Sequence, residues 1–226
     1  MYGMETTART RVPRNTLSAE LVVTAALTLL DRVGVEAFSV RALAKDLGVA
    51  PMTLYTYFRG KDELLDAVRD HALGAATLTT AYGGWQHQVR TICRRLRGQI
   101  LEHPCLTALL QQRPLAGHES AESSESLLRA LVEAGFNAEN AARAYTTVLG
   151  FVVGVTTLEV RLLEENRDPE RREKVRQIMT GLPAERYPTL VEHAAALRQT
   201  VGGDAQFEFG LDLLIAGMEQ RLILSP

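Results

Sequence analysis

The stretch Ser39 to Lys61, SVRALAKDLGVAPMTLYTYFRGK, constrains the fold more than any other part of this 226-residue chain. Val40, Leu43, Ala44 and Leu47 recur at i, i+3, i+4 and i+7, which predicts a short amphipathic helix with Ser39 at its N-cap. Gly48 is the residue free to take positive φ that ends such a helix. Pro51 suits the first position of a second helix, on which Leu54 and Phe58, four apart, face a core. Met52, Thr53, Tyr55, Thr56 and Tyr57 are left pointing elsewhere. A supporting helix, a tight turn and a second helix that offers hydroxyls and aromatic rings to solvent form a helix-turn-helix, whose second helix reaches base edges in a major groove.

The flanking sequence completes a three-helix head. From Ser18, Val22, Ala26, Leu29, Leu30 and Val33 follow helical spacing, and Gly34 closes the segment. Gly60 and Lys61 open a further helix through Asp62, Glu63, Leu64, Leu65 and Val68. Lys61 is informative, because a cation near a helix amino terminus is disfavoured by the dipole. A DNA phosphate there would satisfy both the ammonium and the free backbone N–H groups, and nothing in the local pattern gives Tyr57 or Lys61 a structural reason to be present. Residues 1–16 carry Arg9, Arg11 and Arg14 among small polar residues and are expected to be disordered without a partner, either a solvated tail or an arm that touches phosphates or a minor groove. The chain thus divides into a flexible basic arm (1–16), a DNA-binding head (17–75) and a larger body (76–226).

Charge supports that division. The net charge of −2 argues against a nucleic-acid binder, but residues 1–61 hold eight Lys and Arg against five Asp and Glu, leaving seventeen against twenty-two for the rest. The basic end is the helix-turn-helix end. Cys93 and Cys105 are too few for a disulfide framework and lack metal-ligand spacing, which suits reduced thiols in a cytoplasmic protein. No run of about 18 apolar residues is evident to span a bilayer, and the start MYGMETTARTR has no signal-peptide core, so no membrane partner is expected. His71, His87, His103, His118 and His193 show no H-x-x-x-H or H-E-x-x-H spacing, and neither a phosphate loop nor a G-x-S-x-G elbow occurs; no catalytic residues, metal or cofactor are expected.

The body reads as helix throughout, giving an all-α fold. Breaks are expected at Gly83-Gly84, His103-Pro104, across the polar run Gly117 to Ser126, at Gly135, Asp168-Pro169, Gly181 to Pro183, Tyr187-Pro188 and Gly202-Gly203. The run Glu164 to Lys174 reads as a solvated connection. Residues 141–163 and 207–224 are too apolar around their circumference for surface helices, and Gly150, Gly154, Gly210 and Gly217 permit close backbone approach. Either both segments bury themselves within one subunit or, the favoured reading, they pair with their symmetry mates as a four-helix bundle in a homodimer. A dimer also suits the head, since paired reading helices address half-sites of a palindromic operator about 34–36 Å apart.

On these residues the chain resembles the tetracycline-repressor (TetR) family of transcriptional regulators. The head resembles it over residues 18–72, most densely from Ser39 through LAKDLGV and TLYTYFRGKDELL to Leu65. The body is similar to that of the tetracycline repressors through Trp85, Arg113-Pro114, the run EAGFNAENA from Glu133 and FEFGLDLLIAGMEQRL from Phe207. The resemblance implies a homodimer that binds a double-stranded DNA operator and is released from it by a small-molecule effector held in the body. By position, Arg41, Met52 and Thr53 match base-reading places, and Ser39, Tyr55, Thr56, Tyr57 and Lys61 match phosphate-contacting ones. Arg41 suits guanine O6 and N7, and the Thr53 methyl suits thymine. Tyr55 as half-buried core and Arg41 as a plain surface charge stay open.

The resemblance also locates an effector pocket, lined by Ile92, Leu96, Leu109, Arg113, Pro114, Thr146, Gly150 and Leu158. Tetracycline repressors hold a tetracycline-magnesium complex through a histidine and a glutamate, and Leu109 and Leu158 stand at those places. Leucine offers no oxygen to magnesium. The implied effector is therefore metal-free and mostly hydrophobic, with Arg113 either facing an acidic group or serving a helix end. A regulator whose body is only a scaffold, and a helical carrier or enzyme with a vestigial head, are the alternatives.

Overall fold

Short local signals set the head. The computed structural model describes residues 17–74, 83–112, 118–200 and 202–224, and every regular element in them is a helix. α1 (Ala19–Ala37) starts where the Ser18 hydroxyl accepts the Leu21 N–H at 3.1 Å, and its regular path is broken at Gly34, φ +78°. α2 (Val40–Leu47) starts on Ser39, whose Oγ accepts the Ala42 N–H at 3.2 Å, and ends at Gly48 in the left-handed region, φ +68°. α3 (Pro51–Leu54) has Pro51 in its first turn. α4 (Lys61–Gly74) follows, with Glu63 accepting the Arg59 N–H at 2.6 Å just before it. Val22, Ala26, Leu30, Phe38, Leu43, Leu54, Leu64 and Val68 close one core between these four helices.

α3 is shorter than the sequence suggests. After Leu54 the chain continues as turns, with the Tyr57 and Phe58 N–H groups both donating to the Leu54 carbonyl. Thr56 Oγ1 donates to the Thr53 carbonyl at 2.6 Å, competing with the helical ladder there.

The body contains α5 (Trp85–Glu102), α6 (Leu106–Gln112), α7 (His118–Glu133), α8 (Ala138–Arg167), α9 (Pro169–Thr180), α10 (Pro188–Thr200) and α11 (Gly203–Leu224). Most of the expected breaks fall between these elements. The polar run Gly117 to Ser126 does not: from His118 it forms the first turns of α7, anchored downstream by buried Leu127 and Leu131. Glu122 and Glu125 are exposed on this helix, while Ser123 and Ser124 turn inward to hydrogen bonds with the Leu73 carbonyl and the Tyr145 hydroxyl. The run Glu164 to Lys174 is likewise helical except at Asp168, whose carboxylate caps α9.

α5 lies along α8, braced by ions. Arg97 donates from Nε and Nη2 to both Glu159 oxygens at 2.9 and 2.7 Å and from Nη1 to Asp204 at 2.7 Å, while its guanidinium sits 4.9 Å from the Phe207 ring centroid. Glu159 also accepts the Gly203 N–H at 3.0 Å. This buried carboxylate therefore ties α5, α8 and the start of α11 together, with its charge fully partnered.

Candidate nucleic-acid interface

The head turns the α3 segment outward, with Leu54, fully buried, and Phe58, partly buried, as its apolar anchors in the core. Met52 is 73% exposed, Tyr55 43% and Thr56 exposed, while Thr53 is half-buried on the same segment. Arg41, on the supporting helix, is exposed and has no ion-pair partner among the described residues. Tyr55 is thus not core. The Ser39 hydroxyl uses its oxygen as the α2 cap and keeps its proton to donate elsewhere.

Tyr57 and Lys61 do have structural partners, contrary to the expectation from local pattern. The Tyr57 hydroxyl donates to the Leu17 carbonyl at 2.7 Å. Lys61 Nζ donates to the carbonyls of Val35 and Phe38 at 2.9 and 2.8 Å and lies 5.7 Å from the Phe38 ring centroid. This resolves the unfavourable cation at the start of α4: its ammonium closes the carboxyl end of α1, where a positive charge is favoured. One of its three N–H groups stays free.

Head and body meet along α4, which packs on α1 on one side and on α6 and α7 on the other. A second joint lies at Asp31 of α1. Asp31 Oδ2 is 2.6 Å from His103 Nδ1, and Oδ1 accepts the Cys105 N–H at 3.2 Å, so one head carboxylate holds the linker before α6 at both a side chain and a backbone donor. On α7, the Ser123 hydroxyl donates to the Leu73 carbonyl at 3.2 Å, near the end of α4.

The expected pocket residues do not come together as one wall. Ile92, Leu96 and Leu109 are buried in the body interior. Arg113 and Pro114 lie outside the described residues, as does the arm 1–16. Thr146 and Gly150 are exposed and Leu158 is 48% exposed, all on the outer face of α8. The interior face of that helix carries Val148, Val152, Thr156, Glu159 and Val160 instead. A helix apolar on all sides gives no periodicity from which its phase can be read. The i, i+4 run of β-branched residues at 148, 152, 156 and 160 is the signal that identifies the inner stripe. Thr156 is fully buried and its Oγ1 has no hydrogen-bond partner.

Neither thiol is a poised nucleophile. Burial, reinforced by the nearby Glu208 charge, pushes the Cys93 thiol up to about 12. Burial and the adjacent Asp31 carboxylate also raise that of Cys105. Among the described residues, no three His, Cys, Asp or Glu side chains converge as a metal site.

A helix-turn-helix head with an outward reading segment, rooted by α4 in a larger helical body, defines a DNA-binding regulatory protein. Residues 22–68 match the family model described as bacterial regulatory proteins of the tetR family, and residues 79–222 match the tetracyclin repressor-like C-terminal domain. A transcriptional regulator of Saccharopolyspora erythraea is 32% identical over 89% of this chain and 84% of its own. The class A tetracycline repressor from transposon 1721 of Escherichia coli is 31% identical over 92% of this chain and 93% of its own. Among solved structures, ActR of Streptomyces coelicolor in complex with actinorhodin superposes with a TM-score of 0.74 at 29% identity, covering 91% of this chain and 98% of that one. The chain belongs to the tetracycline-repressor family of transcriptional regulators. Members of this family are regulators, not enzymes; they bind DNA operators and small-molecule effectors, typically as dimers.

Proposed function

We propose that this protein is a cytoplasmic, ligand-responsive repressor that binds a palindromic operator as a homodimer and is released by a small, mostly hydrophobic molecule. The observation that carries the reading is the exposed α3 segment on a head whose Asp31 is bonded to the body's His103 and Cys105. Arg41, Met52 and Thr53 read bases; Ser39, Tyr55, Thr56 and the free N–H of Lys61 contact phosphate. An effector between α5, α6 and α8 shifts α6, and the shift reaches α1 through Asp31 and reaches α4 directly. Operator and effector affinities are then linked reciprocally. The apolar side chains of Ile92, Leu96 and Leu109 favour a hydrophobic effector, and the unpartnered Thr156 hydroxyl offers it one hydrogen bond. The actinorhodin complex of ActR supports a small molecule as the ligand class.

The homodimer forms through α8 and α11. Phe209 and Leu213 of α11 are 59% and 61% exposed, and Thr146, Gly150 and Leu158 are exposed on α8. A cleft of about 380 Å³ between the two helices, lined by Phe136, Ala144, Thr147, Leu213 and Met218, adds room for a partner's side chains. α8 is long and apolar enough to cross a membrane by length and composition, yet only 28% of its most apolar window is buried in the protomer. In this reading a second copy covers the remainder. Gly150, Gly154 and Gly217 have no atom within 4 Å of an added Cβ, so nothing inside the protomer requires them.

The test is selection of genomic fragments by the full chain, followed by fluorescence anisotropy on the recovered DNA. Specific binding that is weakened by Arg41→Ala, and reversed by members of an apolar compound library, supports the proposal. Binding that no compound reverses would favour a regulator with a scaffold body. Failure to enrich any sequence would sink the repressor reading.

A further inference from the structure

Three faces divide α11, and two of them are accounted for within the protomer. Phe207, Leu211, Ile215 and Met218 lie in the core. Along a second face Asp204, Glu208, Asp212 and Glu219 bond to Arg97, Arg94, Arg90 and Gln86, all on α5. The third face is exposed and holds Ala205, Phe209, Leu213, Ala216, Gly217 and Gln220, none of them charged. A charge-free stripe with an aromatic ring in it has the composition of an interface core, not of a wetted surface.

The relief of this face is self-complementary. Phe209, Leu213 and Gly217 follow one another at i, i+4 and i+8 and so form a single ridge. Phe209 stands out from it, and Gly217 leaves it hollow, with open space where a Cβ would be. Gly217 also lines the cleft of about 380 Å³ between α8 and α11, a volume ample for one phenyl ring. Knob and hollow are each four residues, about 6 Å, from Leu213. A two-fold axis at Leu213 that runs the two copies of α11 antiparallel therefore brings each knob onto the other copy's hollow. Helices that meet along i±4n ridges cross at about −50°, the commonest packing in globular proteins.

We propose that α11 pairs with its own copy in this register: the partner's Phe209 enters the cleft beside Gly217, Leu213 meets the partner's Leu213 on the axis, and the two knobs select a second copy of this chain over other partners. This rests on the homodimer reading through α8 and α11 and fixes its geometry. A second copy is the occupant because knob and hollow sit on one ridge at equal distances from one residue, which is the condition for an isologous, closing contact. A partner with a bulky side chain in place of Gly217 would clash with the knob, and one without Phe209 would leave the cleft empty.

The experiment is disulfide trapping in the full-length chain, combined with sedimentation equilibrium. Cys93 and Cys105 are buried, so cysteines added on the exposed ridge are the ones an oxidant joins. The variants are Leu213→Cys, Phe209→Cys, Gly217→Cys, and Phe209→Cys together with Gly217→Cys, each oxidised at a concentration where sedimentation shows it dimeric. A disulfide needs Cα atoms within about 7 Å. Leu213→Cys should give a covalent dimer, and so should the double variant. Phe209→Cys and Gly217→Cys alone should not, because each position lies about 12 Å from its own mate along the helix. Separately, Phe209→Ala should weaken dimerisation about a hundredfold, about tenfold for each of two knobs, and Gly217→Leu, which fills the hollow, should weaken it similarly. In the combined Phe209→Ala, Gly217→Leu chain the losses should not add, since knob and hollow are one contact. Covalent dimer from Phe209→Cys or Gly217→Cys alone, or none from Leu213→Cys, would overturn the register while the dimer stands. Dimerisation unchanged by Phe209→Ala would overturn the knob. A monomeric parent chain would mean that the homodimer reading itself fails, and this register with it.

Discussion

Lys61 Nζ lies 2.8 Å from the carbonyl oxygen of Phe38, so the first residue of α4 closes the end of α1. The same ammonium caps Val35 and rests over the Phe38 ring. These contacts fix the angle between α1 and α4, and hence where the reading segment sits relative to the body. Lys61→Ala leaves two part-buried carbonyls without their donor and is expected to cost about 1–3 kcal/mol of stability. Urea denaturation of the isolated variant, without DNA, measures this. An unchanged midpoint would show that the bonds contribute nothing and that Lys61 matters only on the operator.

Asp31 makes the corresponding joint between α1 and the body. Asp31→Ala unpairs the Cys105 N–H and leaves His103 without its acceptor, for an expected loss of about 1–3 kcal/mol, while His103→Ala, which spares the backbone bond, costs less. If the joint carries the effector signal, Asp31→Ala also reduces the fold-change in operator affinity that a releasing compound produces. Titrating operator with and without a hit compound checks this. Full coupling in Asp31→Ala would place the signal in α4 alone.

Two glycines on the apolar helices should respond in opposite ways. A Cβ at Gly210 would lie 2.6 Å from the Phe151 ring, so Gly210→Ala overpacks the protomer, at a cost of about 1–3 kcal/mol. Gly150 has open space around it, so Gly150→Leu leaves the protomer intact but obstructs a second copy. Sedimentation equilibrium should show dimer dissociation strengthened at least about tenfold, or about 1.4 kcal/mol. Equal dimerisation by Gly150→Leu would remove α8 from the interface.

Glu208 supplies a pH signature. Its carboxylate accepts from Arg94 Nε and Nη2 at 2.6 and 2.8 Å, and this pairing, with the Arg94 and Arg90 charges, holds it below the ordinary carboxylate range. A carboxylate whose folded pKa is depressed contributes stability that is present above its unfolded value and lost as pH falls through the folded one. Urea midpoints of the parent and Glu208→Gln should therefore differ at pH 7 and converge at acid pH. The difference is small, because the pair is partly solvated. A constant gap down to low pH would contradict the assignment.

The elements of the head were legible because their signals are local. Ser18, Ser39, Gly48 and Pro51 act within a few residues, through caps and backbone preference, and the structure uses each as expected. Polar composition was a poorer guide at Gly117 to Ser126, where a helix with one wetted face resembles a loop.

The sequence by itself determined the helical class, the helix-turn-helix and which segments are apolar, since caps, turns and periodicity are properties of neighbours along the chain. Only tertiary structure decided the partners of Tyr57 and Lys61, which lie 40 and 26 residues away. It also decided the phase of α8, moving Thr146, Gly150 and Leu158 outward and Val152 and Thr156 inward. The reason is the same in each case. A long polar side chain finds whichever acceptor the fold brings near, and a helix apolar on every side is oriented by what packs against it, neither of which is encoded within one helical turn.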